Sequence, residues 1–306
     1  MEYLALLLFL PLFLSGDLGS TSSDDDETSG TEGDDELIGG SGDDSINGQG
    51  GQDELIGGGG DDTLRGGDGD DIVDGGTGND EPRGGDQNDL VQGFDGDDVL
   101  YGGDGDDLAL GEAGNDTVWL GEGDDLAWVD DEINAELFAT GQLGDDTVYG
   151  EAGNDGIWDY DGANTLYGGD GNDDVVLLDN TWAAVDFRSH DLGDGGEGND
   201  FMLADSGDTL IGGAGADSFN VIFRDASYDG VTSVNDTAAV VEDFDGAVDF
   251  LGVQYLTEGN TDPEAPLTAT TDPDTGDVTL SVDGVDLVIL TAPTNFNLSE
   301  VQFQVN

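Results

Sequence analysis

The 306-residue chain carries 73 Asp and Glu against four basic residues, all Arg, for a formal charge of −69. Such a surface repels nucleic acid and anionic membrane surfaces alike, since both are held through Lys and Arg, and its natural counter-charge is a cation. The absence of Cys excludes disulfides, thiol nucleophiles and thiolate metal sites, and His190 is the only imidazole, so carboxylates are the abundant reactive groups.

In chain order, residues 4–14 read LALLLFLPLFL, an apolar run of signal-peptide size, short for a hydrocarbon core of ~30 Å and lacking a basic flank. The sequence predicts residues 1–15 as a signal peptide. Residues 16–29, GDLGSTSSDDDETS, read as an acidic Ser-rich linker without enough apolar content to pack.

From residue 30 the sequence repeats every nine residues, as in GGSGDDSIN, GGGGDDTLR and GGDGDDIVD, and a first block of eleven repeats occupies residues 30–128. Every repeat has Asp at its sixth position: Asp35, Asp44, Asp53, Asp62, Asp71, Asp80, Asp89, Asp98, Asp107, Asp116 and Asp125. Chance would set eleven Asp in register with odds of roughly 10⁻⁸, so the period is real and an ordinary acidic surface does not explain it. Residues 129–140, VDDEINAELFAT, break the register and predict a short helix covering the roll. A second block at 141–176 adds Asp146, Asp155 and Asp173, with Asn164 as the one substitution. Residues 177–194 read as a second insert, in which a lone His190 reads as a surface or packed imidazole. A third block at 195–220 adds Asp200, Asp208 after a one-residue deletion, and Asp217.

The arrangement GGxGxDxUx predicts a six-residue loop, turned by its glycines, followed by a three-residue strand whose middle side chain points inward. Leu37, Ile46, Leu55, Leu64, Val73, Val91, Leu100 and Val118 form that inward file. Two repeats make one coil, so the first block rises roughly 26 Å at ~4.8 Å per coil. One aliphatic side chain per nine ordered residues is too little burial to offset backbone entropy, and stacked acidic loops repel. A cation must supply the difference. Calcium fits an all-oxygen ligand set better than magnesium, whose geometry is stricter.

The repeats resemble the hemolysin-type calcium-binding family called RTX. The resemblance implies an all-β, right-handed parallel β-roll, a solenoid with calcium held between repeats i and i+2 on one side. Sixth-position carboxylates and loop carbonyls would be the ligands, pairing Asp44 with Asp62 and Asp53 with Asp71, in up to about twelve sites. Pro82 at an inward position, Gln87 in place of the fourth-position glycine, Asn164 and Ala204 mark degenerate repeats with weak or empty sites. Fifth-position carboxylates such as Asp43, Asp61, Asp70, Asp97 and Asp106 read as solvated charge.

Ninth positions bring Tyr101, Trp119, Trp128, Tyr149, Trp158 and Tyr167 to the outer faces. Exposed, they would stack on sugar rings; the plainer reading is that inserts and the C-terminal part cover them. Residues 221–306 predict a β cap: VVEDFDGAVDFLGV resembles the segment that closes the roll in secreted RTX proteases, and DVTLSV–DG–VDLVIL reads as a β-hairpin. DPDTGD at 272–277 is a turn rather than an EF-hand, which would need a longer loop and flanking helices.

The sequence therefore predicts a secreted, extracellular calcium-binding repeat protein with a structural or interaction role and no catalytic domain. Alternatives are an adhesin or glycan-binding module recognising a cell surface, and a secreted hydrolase. Export by the N-terminal segment and by a C-terminal type I signal both stay open.

Overall fold

The computed structural model describes residues 25–129, 144–159, 162–178, 190–224, 238–256, 266–282 and 285–305. The apolar N-terminal run, the helix predicted over 129–140 except Val129, and residues 179–189 of the second insert lie outside the described residues.

Among the described residues nearly all regular structure is β. The first block forms β1 (Glu27–Ser29), β2 (Glu36–Gly40), β3 (Ser45–Gly50), β4 (Glu54–Gly59), β5 (Thr63–Asp68), β6 (Ile72–Thr77), β7 (Glu81–Asp86), β8 (Leu90–Asp95), β9 (Val99–Asp104), β10 (Leu108–Ala113), β11 (Thr117–Glu122) and β12 (Leu126–Trp128). The later repeats form β13 (Thr147–Ala152), β14 (Gly156–Asp159), β15 (Thr165–Asp170), β16 (Asp174–Leu177), β17 (Leu192–Glu197), β18 (Phe201–Ala204), β19 (Thr209–Ala214) and β20 (Ser218–Arg224). The C-terminal region adds β21 (Ala239–Glu242), β22 (Phe250–Leu256), β23 (Thr268–Thr271), β24 (Val278–Val282), β25 (Val285–Leu290) and β26 (Gln302–Val305), with one 3-10 turn at Leu298–Glu300.

Odd-numbered strands up to β21 stack in one sheet and even-numbered strands up to β22 in the other, so the chain crosses between sheets at every turn of the roll. Pairing is parallel and in register one coil apart, as in Ser45↔Thr63 and Ile46↔Leu64. This is the parallel β-roll expected from two repeats per coil. At the C-terminal end β21 pairs with β25, β24 and β23 extend that sheet antiparallel, and β26 closes the other sheet beside β22. The β24–β25 hairpin is where the sequence placed it; its two turn residues lie outside the described set.

Two expectations need correction. The regular strands are six residues long, not three: they span positions seven to nine and the first three of the next repeat, leaving a three-residue turn, while β12, β14, β16 and β18 stop after three or four residues. Identical repeats stacked in register let the glycine pair join the ladder, as in Gly58↔Gly76. The roll also starts earlier than residue 30. Residues 25–29, assigned to the linker, reach the sheet as β1, whose Glu27–Ser29 pair with Ser45–Asn47.

The inward file is as expected, with Ile46, Leu55, Leu64 and Val73 forming one small cluster and the aliphatics from Val91 onward belonging to a second. Pro82 faces inward between the two, and the pairing of β7 with β9 begins only at Arg83, because proline offers no ladder N–H. Toward the C-terminus the second cluster thickens with Phe219, Phe223, Phe244, Leu251, Val253, Leu280 and Leu290.

Candidate cation sites along the roll edges

Each three-residue turn ends on the sixth-position Asp, just before the next strand. All the predicted ligands stack into two side-chain ladders, one along each edge of the roll. One edge carries Asp44, Asp62, Asp80, Asp98, Asp116, Asp146 and Asp208; the other carries Asp35, Asp53, Asp71, Asp89, Asp107, Asp125, Asp155, Asp173, Asp200 and Asp217. In both, the backbone N–H of one Asp donates to Oδ1 of the Asp one coil further on. Asp44 N–H to Asp62 and Asp53 N–H to Asp71 are both 2.7 Å. Along the second edge these bonds run unbroken from Asp35 to Asp249 at 2.7–3.1 Å.

Three rungs were missed in the sequence. Asp26 donates its N–H to Asp44 Oδ1 at 2.6 Å, and Asp191 links Asn164 to Asp208. Both lie nine residues before a recognised Asp, so extending the register through the supposed linker and insert would have found them. Asp249 in the cap takes the N–H of Asp217 at 3.0 Å and lies out of register, so only the fold reveals it. Asp243 similarly accepts the N–H groups of Gly212 and Gly213.

The other carboxylate oxygen defines the chemistry. Oδ2 of Asp44, Asp53, Asp62, Asp71, Asp80, Asp89, Asp98, Asp107, Asp125, Asp155, Asp173 and Asp200 is buried with no hydrogen-bond partner. Such atoms are costly unless something cationic or protic meets them. First-position side chains point into the roll beside them, which explains the glycine there. A Cβ on Gly75 would sit 2.7 Å from Asp80 Oδ2 and 3.0 Å from the carbonyl oxygen of Gly93 in the next coil. The glycine leaves a cradle bordered by a carboxylate oxygen and a carbonyl oxygen, repeated from coil to coil. Fourth-position glycines have a different reason: Gly78 adopts φ +129°, and Gln87 at the same position is held at φ 80°.

Electrostatics point the same way. Burial, only partly offset by the N–H from the neighbouring coil and reinforced by adjacent carboxylates, pushes Asp89 and Asp155 up to about 8 and Asp80 and Asp125 up to about 7. Asp98, Asp107 and Asp200 rise to about 6 for the same leading reason. A row of carboxylates at this spacing resists ionisation unless a positive charge sits among them. Among the described residues no three His, Cys, Asp or Glu side chains converge as a metal cluster. An ion at a cradle would therefore draw much of its shell from main-chain carbonyls. Carboxylate and carbonyl oxygens in a flexible loop suit calcium, which takes 6–8 oxygens.

The two edges differ. After Asp35 the second edge has first-position glycine at every repeat except Leu120, through Gly212. The first edge has Gly39, Gly57, Gly75, Gly93 and Gly111, then Val129, Asp159, Leu177, Ala204 and Val221 on successive strands, all buried. Side chains replace open cradles from there on.

Fifth-position side chains are not merely solvated. They form a second, oppositely directed ladder, in which Asp43 accepts the N–H of Asp61 at 2.9 Å, Asp61 that of Asn79, and Asp97 that of Asn115. Asn154, Asn172 and Asn199 continue it with amide-to-amide bonds of 2.9 Å.

The outer aromatic file is half-buried, and several of its members pack on one another. Trp119 stacks on Tyr149 with centroids 4.1 Å apart, Tyr149 on Tyr167 at 5.1 Å, and the Arg83 guanidinium lies 3.9 Å over the Tyr101 ring. Stacking of this kind uses the ring faces a sugar would need and presents ring edges to solvent. His190 is exposed at the fifth position of the Asp191 repeat. The 272–277 segment is a turn in which Asp272 accepts the N–H of Asp274 at 2.7 Å.

Stacked carboxylate cradles on both edges of a parallel roll define a class of cation-dependent repeat proteins. Comparison with known families agrees: the model of the RTX calcium-binding nonapeptide repeat matches residues 21–55, 29–64, 47–82, 83–109, 92–127, 140–175 and 194–208, together about half of the chain. The chain belongs to the RTX calcium-binding repeat family. No curated protein matches it significantly. Among matching solved structures is the extracellular lipase LipA from Serratia marcescens, at 18% identity and a TM-score of 0.21, over 77% of this chain and 40% of the lipase.

Proposed function

We propose that this is a secreted calcium-binding roll that folds on meeting calcium outside the cell and serves a structural or interaction role without a catalytic domain of its own. The observation that carries the reading is the row of buried, unpartnered Asp Oδ2 atoms facing glycine cradles on successive coils. Without a cation the stacked carboxylates repel and the thin-cored coils stay expanded; with one they become the glue between coils, so binding and the folding of those coils are a single equilibrium. Carbonyl-rich, shallow-charge sites suit the weak affinities of extracellular calcium modules, about 10⁻⁴–10⁻³ M. The absence of Cys and Lys, and the engagement of the roll's carboxylates in ladders, support a non-enzymatic role.

A calcium titration of the full chain followed by far-UV circular dichroism tests this. A cooperative gain of β signal with calcium, but not with magnesium or high sodium chloride, is expected. A chain fully folded in chelator, or folded equally by salt, would overturn it.

A further inference from the structure

One loop of the roll solves the buried-carboxylate problem without an ion. In the regular loops, a first-position glycine lies five residues before a sixth-position Asp, and the Asp Oδ2 projects over the glycine without a partner. At residues 159–164 both positions are exchanged together: Asp159 stands for the glycine and Asn164 for the Asp.

Asn164 keeps its place in the ladder, its Oδ1 accepting the N–H of Asp146 at 2.5 Å and its own N–H donating to Asp191 at 2.8 Å. Its second terminal atom, however, is Nδ2, an amide donor that repels a cation. That N–H donates to Asp159 Oδ1 at 2.5 Å, and both residues are 1% exposed. A hydrogen bond thus stands where neighbouring coils offer a lone oxygen to an ion. Either exchange alone would be unfavourable: Asp at the first position against Asp at the sixth would press two buried carboxylates together, and Asn against glycine would strand a buried amide.

Two further loops are closed by other donors. Asp35 Oδ2 accepts the Thr31 N–H and hydroxyl, at 2.5 and 2.8 Å. Asp208, in the loop shortened by one residue, accepts the N–H of Asp205 on Oδ2 at 3.1 Å.

The geometry points to an asymmetric ion array, in which the Asp159–Asn164 hydrogen bond is an internal substitute for calcium that closes this loop to the ion. The edge from Asp53 to Asp200 takes ions in every loop but that of Asp125, where buried Leu120 fills the first position, while the opposite edge carries them only in its earlier coils. The inference rests on the calcium reading above and specifies which loops obey it.

The test is calcium stoichiometry by equilibrium dialysis and calorimetry on the full chain and two double variants. D159G/N164D restores a cradle and is expected to gain one ion, and in chelator to lose amide protection over Thr165–Asp170 relative to the parent. The reverse transplant, G75D/D80N, is expected to lose one ion while keeping its calcium-loaded circular dichroism. It also keeps the question open to measurement should the first variant not fold. A folded D159G/N164D with the parent's stoichiometry, or a folded G75D/D80N that loses no ion, would overturn the inference and leave the calcium reading intact. A parent chain that binds no calcium would remove both.

Discussion

The first coils and the C-terminal cap share two continuous sheets but are held together by different means. Between β3 and β6 the interior is a single file, Ile46, Leu55, Leu64 and Val73, flanked by glycine cradles and unpartnered carboxylates. From β20 onward the same sheets enclose Phe219, Phe223, Phe244, Leu251, Val253 and the β24–β25 hairpin, a core of ordinary thickness. Repetition buys indefinite length at the cost of core volume, so the repeats depend on ions where the cap depends on hydrocarbon.

The strongest way to sharpen this contrast is to remove calcium. In chelator at pH 7.5, hydrogen exchange should show Ser45–Gly50 through Ile72–Thr77 losing at least about 2.7 kcal/mol of protection, the linkage of one ion at a hundred times its Kd, while β20 and β22 stay protected. Equal loss in both regions would erase the distinction.

Proton for ion comes next. Because folding raises the carboxyl groups of Asp80, Asp89, Asp125 and Asp155 to about 7, 8, 7 and 8, their contribution to the ion-free roll is fully present below the unfolded carboxylate value near 3.8 and is lost as pH rises from there through the folded values of about 7 to 8. The chelated chain should therefore gain β signal by circular dichroism as pH falls from 8.5 toward 5. In the same interval calcium affinity should weaken, since protons compete for the same oxygens.

Single side chains then separate the two cores. Phe219→Ala is expected to cost about 3–5 kcal/mol by urea denaturation whether or not calcium is present. Leu64→Ala, at about 2–3 kcal/mol, should register only in the calcium-loaded chain, because without ions there is little structure left to lose. The smallest effect belongs to the fifth-position ladder. Asn172→Ala removes its side-chain bonds with Asn154 and Asn199 and should cost about 0.5–1.5 kcal/mol in either condition.

Much of this was legible in the sequence because a solenoid turns contact into periodicity. Eighteen residues separate Asp44 from its partner Asp62, so a nine-residue count located the ladder, the inward aliphatics and the two sheets. Where the count failed, the missing information was spatial. The linker hid Asp26 and the second insert hid Asp191, because flanking residues there lack the glycines that advertise a repeat, yet a lone Asp suffices to continue a ladder. Asp249 sits 32 residues after Asp217, a spacing no repeat encodes.

The sequence by itself determined the period, the carboxylate at each turn, the inward aliphatic file and the demand for a cation, since each follows from residue type at a fixed position. Tertiary structure alone decided that glycine pairs lie in strands, that aromatic faces stack on each other, and that Asp159 closes the cradle Asn164 would otherwise face. Those outcomes depend on which atoms meet across coils, through packing and hydrogen bonding that residue spacing does not specify.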